Sequence, residues 1–257
     1  MPWAGDHQVE HDLILSRVLV EIFSEPRLRR SLTFRGGTAI HKLVLPMPLR
    51  YSDDIDLVQI VPGPIGEVMK ALRGRLDPLL GKSAFERSRI SHTAVYRFES
   101  EIPPTQPLRL NIEINTREHF SILGFQTRAF TVASPWFTGA ADLVTYHPDE
   151  LCATKLRALY QRQKGRDLFD LAVALERQLV DPDAVIRCCV EYLKAGKTHI
   201  TRRQFADNLK AKIKRPAFRG DIVPLLAPGI AYDPDVAYER VTRGFIDRWP
   251  VTPFGSS

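Results

Sequence analysis

Two aspartates in the first quarter of the chain stand two positions apart at the start of an apolar run. Asp54 and Asp56 lead into a segment that stays mostly apolar as far as Ile60, which is typical of a buried strand. Because side chains i and i+2 of a strand lie on one face, both carboxylates are predicted to point the same way, with Ser52 beside them. Two like charges this close repel each other unless a cation offsets them. Mg²⁺ fits this pair, since it binds oxygen ligands and usually shares one or two carboxylates with substrate phosphates.

A glycine-rich turn precedes this strand. The sequence LTFRGGTAIHKLVL predicts a short strand over 32–34, a turn at Gly36 and Gly37, and a helix over about 38–45. Glycines allow a tight turn and a close approach of a ligand to the backbone. Thr38 is predicted to cap the helix, whose first N–H groups would attract phosphate. The spacing matches neither GxxxxGK[ST] nor GxGxxG, which excludes those two phosphate loops.

These two segments resemble the first two motifs of the AbiEii/AbiGii family, whose members are minimal nucleotidyltransferases that act as toxins of type IV toxin–antitoxin pairs. The resemblance covers GGT over 36–38, the lysine that follows, and RYSDDIDL over 50–57. It implies that Asp54 and Asp56 are catalytic metal ligands. It also implies a set of residues that bind the nucleotide and its phosphates: Gly36, Gly37, Thr38, Lys42 and Ser52.

The rest of the pattern predicts an α+β fold. Helical periodicity covers 9–24 and 66–80, and strand-like alternation covers 92–99, 107–115 and 126–133. A sheet with an early helix and later helices favours this class. With the resemblance, we predict a nucleotidyltransferase-like mixed β-sheet core over 1–145 and a C-terminal helical lobe over 146–257 that completes the active site.

A third carboxylate is predicted on a neighbouring strand. In the run 107–115, Asn111, Glu113 and Asn115 share one face while the apolar residues take the other. Similar nucleotidyltransferases hold their third acid on such a strand, so Glu113 is a candidate metal ligand and a candidate acceptor of the attacking hydroxyl's proton. The alternative is an exposed strand glutamate. Arg117, shortly after, is a weaker candidate for a phosphate contact.

Lys155 is a candidate for neutralising the β and γ phosphates. It lies in the run 146–163, in which Pro148 and the two acids after it predict a helix start. A flexible ammonium group suits a triphosphate, and the resemblance implies a functional lysine at this place in the helix. The alternative is a solvated surface lysine.

The run KGRDLFDL over 164–171 resembles the last motif of the family, in which an aspartate is required. We predict that Asp170 is this catalytic residue and that Asp167 caps the following helix, a contribution of about 1 kcal/mol. The structural alternative for Asp170 is an ion pair with Arg166 one turn earlier. The matched motifs span about 34–171, and the last 80 or so residues match none.

Composition bounds the remaining questions. The chain has 257 residues and a formal net charge of +6, which is compatible with a polyanionic partner such as RNA. A basic helix over about 201–213 could bind an RNA backbone or could simply be solvated.

Three cysteines without a CxxC pair predict buried free thiols. With neither a membrane-length apolar run nor a leader pattern, we predict a soluble, cytoplasmic protein without a membrane partner.

We therefore predict a Mg²⁺-dependent nucleotidyltransferase toxin. The resemblance alone implies the acceptor and the regulator: nucleoside monophosphate would pass from a nucleoside triphosphate to the 3′ acceptor end of tRNA, blocking translation, under the control of a cognate antitoxin. One alternative keeps the chemistry and makes a protein or small molecule the acceptor. Another is a non-catalytic module that binds nucleotide or RNA, although such a module has no need of the costly acidic pair.

Overall fold

A computed structural model describes residues 2–250, which form two compact units. The first contains residues 2–43 and 51–146, and the second contains residues 44–50 and 147–250. The segment 44–50, which the sequence places in the core, packs within the second unit. The sequence also predicts a loose tail over 250–257, which from residue 251 onward lies outside the described residues.

The described part of the first unit is built on a seven-stranded mixed sheet with the order β3-β4-β5-β2-β1-β7-β6. Two neighbouring pairs, β2 with β5 and β1 with β7, are parallel, and the others are antiparallel. The predicted mixed sheet is confirmed. Its strands are β1 Leu32–Arg35, β2 Asp54–Gln59, β3 Ala84–Arg87, β4 Ser91–Glu99, β5 Pro107–Asn115, β6 Phe125–Ala133 and β7 Thr138–Tyr146.

Helices flank this sheet. The longest, α1, buries Leu15, Leu19 and Ile22, whose helical spacing forms one apolar stripe against β5, β6 and β7. A π-helical segment, Ile40–Val44, continues α3. The helices of this unit are α1 Asp6–Ser24, α2 Pro26–Ser31, α3 Gly36–Ala39 and α4 Gly66–Leu80.

The second unit is helical, as predicted for the C-terminal lobe. Prolines open several of its helices, and Asp181 and Asp233 accept hydrogen bonds from first-turn N–H groups of α7 and α10. The helices are α5 Pro148–Gln161, α6 Gly165–Glu176, α7 Pro182–Ala195, α8 Arg202–Ile213, α9 Pro216–Gly220 and α10 Pro234–Val241. Within residues 2–250, no helix has both the length and the hydrophobicity needed to cross a membrane.

The cysteines lie in this helical unit. Cys152, Cys188 and Cys189 are buried and free, which confirms the prediction. Burial raises the pKa of Cys188 to about 11 and that of Cys152 to about 12. At neutral pH these thiols are therefore protonated and pack as small apolar side chains.

Candidate active site

The acidic face of the first unit is set by the pairing of β2 with β5. In this parallel pair the Cα of Asp54 lies opposite Asn111, and the Cα of Asp56 lies opposite Glu113. Paired residues of neighbouring strands project to the same side of a sheet, and residues two apart do likewise. The register therefore puts Asp54, Asp56 and Glu113 on one face, each partly buried.

The three carboxylates differ in their hydrogen bonds. Asn111 donates Nδ2–H to Oδ1 of Asp54 at 2.8 Å, which fixes that side chain. Within residues 2–250, the carboxylates of Asp56 and Glu113 accept no hydrogen bond and form no ion pair. The oxygens of such carboxylates have lone pairs to offer a cation or a proton.

Gly36 makes room for Asp56. Its φ of +82° lies in the left-handed region that favours glycine. A Cβ added at Gly36 would lie 2.0 Å from Oδ2 of Asp56. The turn predicted from the two glycines therefore brings backbone directly against a catalytic candidate.

The predicted cap at Thr38 is wrong. The short helix α3 begins at Gly36 with Arg35 in the capping position, and the chain continues as a π-helical segment rather than as an α-helix over 38–45. The Thr38 hydroxyl instead donates to the carbonyl oxygen of Asp54 at 2.6 Å and shares a 2.8 Å hydrogen bond with Ser52. Thr38 thus ties the glycine turn to the start of β2.

Lys42 is held by helix α1. Its Nζ lies 2.7 Å from Oδ1 of Asp12 and donates to the Ser16 hydroxyl at 2.9 Å, and only 12% of its side chain is exposed. Trp3 donates to the other oxygen of Asp12. Nucleotide binding by Lys42 stays a prediction, and the charge it brings to the first unit is already partly offset by Asp12.

Lys155 belongs to a buried ion-pair network in the second unit. Its side chain is 5% exposed, so the alternative of a solvated lysine is wrong. Nζ lies 3.0 Å from Oδ1 of Asp167 and 3.2 Å from Oδ2 of Asp170. Its action on a triphosphate stays a prediction.

Asp170 is bound most closely by Arg50. The guanidinium donates two parallel hydrogen bonds of 2.7 Å, from Nε to Oδ1 and from Nη2 to Oδ2, and both side chains are buried. The ion pair considered between Asp170 and Arg166 does not form, because Arg166 faces Asp221. A catalytic role for Asp170 stays a prediction.

Asp167 does not cap α6, contrary to expectation. The capping position belongs to Lys164, and Asp167 lies inside the first turn. Burial alone would raise the pKa of the Asp167 carboxyl, but the charges of Lys155 and Arg162 and their hydrogen bonds bring it below its ordinary value. Asp167 is therefore ionised and forms the centre of this network.

Two of these partners had no predicted function. Arg50 stands inside the run RYSDDIDL but is 120 positions away from Asp170, and Asp12 lies in a helix that carries no motif. Neither pairing has a local pattern that indicates it. The only usable signal is that a lone charged residue within apolar surroundings requires a partner somewhere.

The acids of β2 suit a metal that is shared with substrate. Residues 2–250 contain no group of three or more His, Cys, Asp or Glu side chains that could hold a metal ion. Mg²⁺ does not need such a cage, because one or two carboxylates with substrate phosphates and water complete its six oxygens. The uncommitted Asp56 carboxylate beside Asp54 fits that arrangement. Metal binding by Glu113 stays a prediction.

Comparison with known proteins identifies the family. The model of the nucleotidyl transferase AbiEii toxin family, of type IV toxin–antitoxin systems, matches residues 17–240. The chain belongs to this family. It is therefore a nucleotidyltransferase, as predicted, and AbiEii membership implies a nucleotide substrate and an antitoxin partner. Nucleotidyltransferases of this kind generally use a divalent metal ion.

Solved structures agree with the AbiEii assignment at the level of the fold. The nucleotidyltransferase toxin MenT4 of Mycobacterium tuberculosis is 19% identical, with a TM-score of 0.68 over 95% of this chain and 85% of MenT4. A putative nucleotidyltransferase of Helicobacter pylori (15% identity, TM-score 0.56) covers 93% of this chain and 94% of its own. JHP933 of Helicobacter pylori (16% identity, TM-score 0.56) matches over 93% of this chain and 91% of JHP933. No curated protein matches the sequence.

Substituting the first glycine of the AbiEii motif tests the packing of Asp56. We expect Gly36→Ala to lower nucleotidyl transfer about 100-fold or more, because the added Cβ displaces the Asp56 carboxylate by an ångström or so. Gly74→Ala is the matched control, since nothing lies within 4 Å of the added Cβ in α4. That control should keep full activity and gain about 0.5–1 kcal/mol of stability. Full activity in Gly36→Ala would contradict the close packing.

Proposed function

We propose that this AbiEii-family toxin is Mg²⁺-dependent and transfers a nucleoside monophosphate to the 3′ acceptor end of tRNA, which blocks translation. Family membership supplies the reaction class, and the metal and the acceptor are the proposal. The observation that carries it is the register of β2 with β5, which aligns Asp56 with Glu113 beside Asp54. A tRNA acceptor places the activity in the cytoplasm, where a cognate antitoxin would restrain it.

The acidic face supplies the chemistry of nucleotidyl transfer. In the reaction, the 3′ oxygen of the acceptor bonds to the α-phosphorus, the bond from that phosphorus to the bridging oxygen breaks, and pyrophosphate leaves. Asp54 and Asp56 would bind Mg²⁺. When bound, the ion would stabilise the phosphoryl charge and lower the pKa of the attacking hydroxyl. Glu113, whose carboxylate accepts no hydrogen bond within residues 2–250, would add a ligand or accept the hydroxyl proton.

The glycine turn would receive the phosphates of the nucleotide. The partly buried Gly36 and the buried Gly37 begin a helical segment, where N–H groups favour anions. Thr38 and Ser52, joined by their hydrogen bond, would fix that turn against β2. In this proposal, the glycine turn would bind phosphate and the adjoining strand β2 would bind the metal.

Lys155 and Asp170 enter the proposal through the family motif. Lys155 would offset charge on the departing pyrophosphate. Its ammonium is already oriented by Asp167 and Asp170, so little side-chain freedom would be lost on binding. The contribution of Asp170 would then be to hold Lys155 and Arg50 in place.

A labelling experiment tests the metal and the acceptor together. Purified protein is incubated with each labelled nucleoside triphosphate in turn and total bacterial RNA, with Mg²⁺, with EDTA, and with Mg²⁺ restored after EDTA. We expect label in tRNA-sized RNA, lost with EDTA, regained with Mg²⁺ and absent from Asp56→Ala. Label in protein or in a small molecule would contradict the tRNA acceptor, and transfer that survives EDTA would contradict the metal.

A further inference from the structure

A cavity rich in arginine lies at one end of the sheet in the first unit. We call it the arginine cavity; it has a volume of about 550 Å³ and is lined by Arg87, Ser88, Arg89, His92, Thr116 and Arg117. These residues come from the end of β3, the turn that follows it, the start of β4 and the segment just after β5. Among residues 2–250, no carboxylate contributes to the lining, so the cavity concentrates positive charge.

Hydrogen bonds hold the two walls of the arginine cavity in place. The Ser88 hydroxyl accepts N–H bonds from Ile90 at 3.2 Å and Ser91 at 2.9 Å, which closes the turn after β3. The N–H of Thr116 donates to the Ile90 carbonyl at 3.0 Å, joining this turn to the other wall. Asn115 caps the second wall by accepting from the N–H of Arg117. These hydrogen bonds therefore fix the backbone of both walls.

The arginines of the cavity have uncommitted charge. Within residues 2–250, Arg87, Arg89 and Arg117 form no ion pair. Arg117 donates only Nε–H, to the carbonyl of Arg89 at 3.3 Å, which leaves its terminal N–H groups for a ligand. Three exposed guanidinium groups without carboxylates favour an anion with several negative groups.

The basic helix α8, considered as an RNA face, contrasts with this cavity. Arg202 pairs with Asp247 at 3.0 Å, and Arg203 lies 3.7 Å from Asp207. Lys212 is buried and donates to the carbonyls of Leu159 and Tyr160 at the end of α5. Several basic groups of α8 thus bind other parts of the second unit, whereas the three arginines of the cavity form no ion pair within residues 2–250.

We propose that the arginine cavity binds the phosphodiester backbone of the acceptor RNA. This inference rests on the proposed function and assigns the place where the acceptor is held. The phosphates would bind Arg89 and Arg117, with Arg87 on the adjoining wall. Such contacts position an RNA without reading its sequence.

Two observations favour RNA over a compact anion. Phe85, beside the cavity, is 53% exposed, and its ring centroid lies 5.7 Å from that of His92, so an aromatic face adjoins the arginines as in surfaces that bind unpaired bases. Arg117 follows Glu113 by four residues and lies two positions beyond the end of β5 at Asn115, so the arginine cavity lies next to the end of the strand that carries Glu113. An RNA whose 3′ end reached Glu113 would therefore pass its upstream phosphates close to Arg117.

Binding of labelled total tRNA, measured by fluorescence anisotropy over a range of salt concentrations, tests the inference. The variant is Arg89→Gln/Arg117→Gln, and the matched control is Arg30→Gln/Arg97→Gln, which removes two exposed arginines of the same unit that lie outside the cavity. We expect the variant to bind tRNA about 10- to 100-fold more weakly. The plot of the logarithm of the association constant against the logarithm of the salt concentration should become shallower. Its slope should decrease in magnitude by about 1.4 to 1.8, as for two lost phosphate contacts.

The outcomes separate this inference from the proposed function. In the transfer assay, the variant should raise KM for tRNA and leave KM for the nucleotide unchanged. Equal tRNA binding by the variant and its control would overturn the inference while leaving the tRNA acceptor intact. Loss of nucleotide binding instead would show that the cavity is a nucleotide site. If the parent protein bound no tRNA and labelled none, the proposed acceptor would fail and the inference with it.

Discussion

The Asp56→Asn variant is expected to lose nucleotidyl transfer by about a thousandfold while keeping its fold. Asparagine has nearly the shape of aspartate, so it still fits against Gly36, where a Cβ would lie 2.0 Å from Oδ2. It lacks the negative charge that binds a divalent cation. Losing that stabilisation of the transferring phosphoryl group costs several kcal/mol, and about 4 kcal/mol corresponds to a thousandfold in rate.

Asp53→Asn is the matched control for this variant. Asp53 is the neighbour of Asp54, but it is not one of the two alternate positions, Asp54 and Asp56, whose side chains share a face. Its charge acts on Tyr51, whose pKa is raised first by burial and then by Asp53. Initial rates at saturating nucleotide and Mg²⁺ measure the loss of transfer in each variant. Thermal melting of each protein checks that the fold is kept. Comparable losses in Asp53→Asn and Asp56→Asn would show that general negative charge, rather than the acidic face, drives the reaction.

The acidic face was largely predictable because its information is local. The spacing of Asp54 and Asp56 fixes a shared face in any strand, and the alternation around Glu113 does the same in β5. That Asp56 lies opposite Glu113 depends on strand order and register, which join residues 57 positions apart. Local pattern shows which side chains share a face of one strand, but the parallel pairing of two strands is a property of the whole sheet.

Two strands that lack a regular alternation of apolar and polar residues were not predicted from the sequence. Strand β3 is exposed at all four positions, so it shows no apolar alternation, and β7 begins with the small residues Thr138 to Ala141. At the glycine turn, a local pattern was present, but the helix cap that it predicts does not form. Thr38 satisfies the local rule for a helix cap, yet its hydroxyl bonds to Ser52 and to the Asp54 carbonyl instead. Tertiary hydrogen bonds outweigh a capping preference worth about 1 kcal/mol.

Asp170→Asn is expected to lower the free energy of unfolding by about 3–5 kcal/mol, because it removes the negative charge to which the buried Arg50 guanidinium donates two hydrogen bonds. Arg50 and Asp170 are each about 1% exposed and joined by two 2.7 Å hydrogen bonds. Charges in such surroundings are costly unless paired. Denaturant-induced unfolding, followed by circular dichroism, measures the loss.

The matched control is an ion pair at the surface that is also joined by two hydrogen bonds. Arg219 and Asp235 also form two parallel hydrogen bonds, of 2.6 and 2.8 Å, but both side chains are exposed to water. Asp235→Asn should therefore change stability far less than Asp170→Asn. Replacing both buried partners, as Arg50→Met/Asp170→Leu, should recover part of the lost stability, since no unpaired charge remains.

The same variants separate the two functions that Asp170 could have. Transfer is measured at a temperature where Asp170→Asn is still folded, and activity is expressed per folded molecule. If Asp170 acts by holding Arg50 and Lys155, stability falls by several kcal/mol and the double variant regains stability but little transfer, because Lys155 keeps only Asp167 as a partner. Unchanged stability with lost transfer would contradict this account and assign Asp170 directly to the reaction, as its place in the family motif predicts.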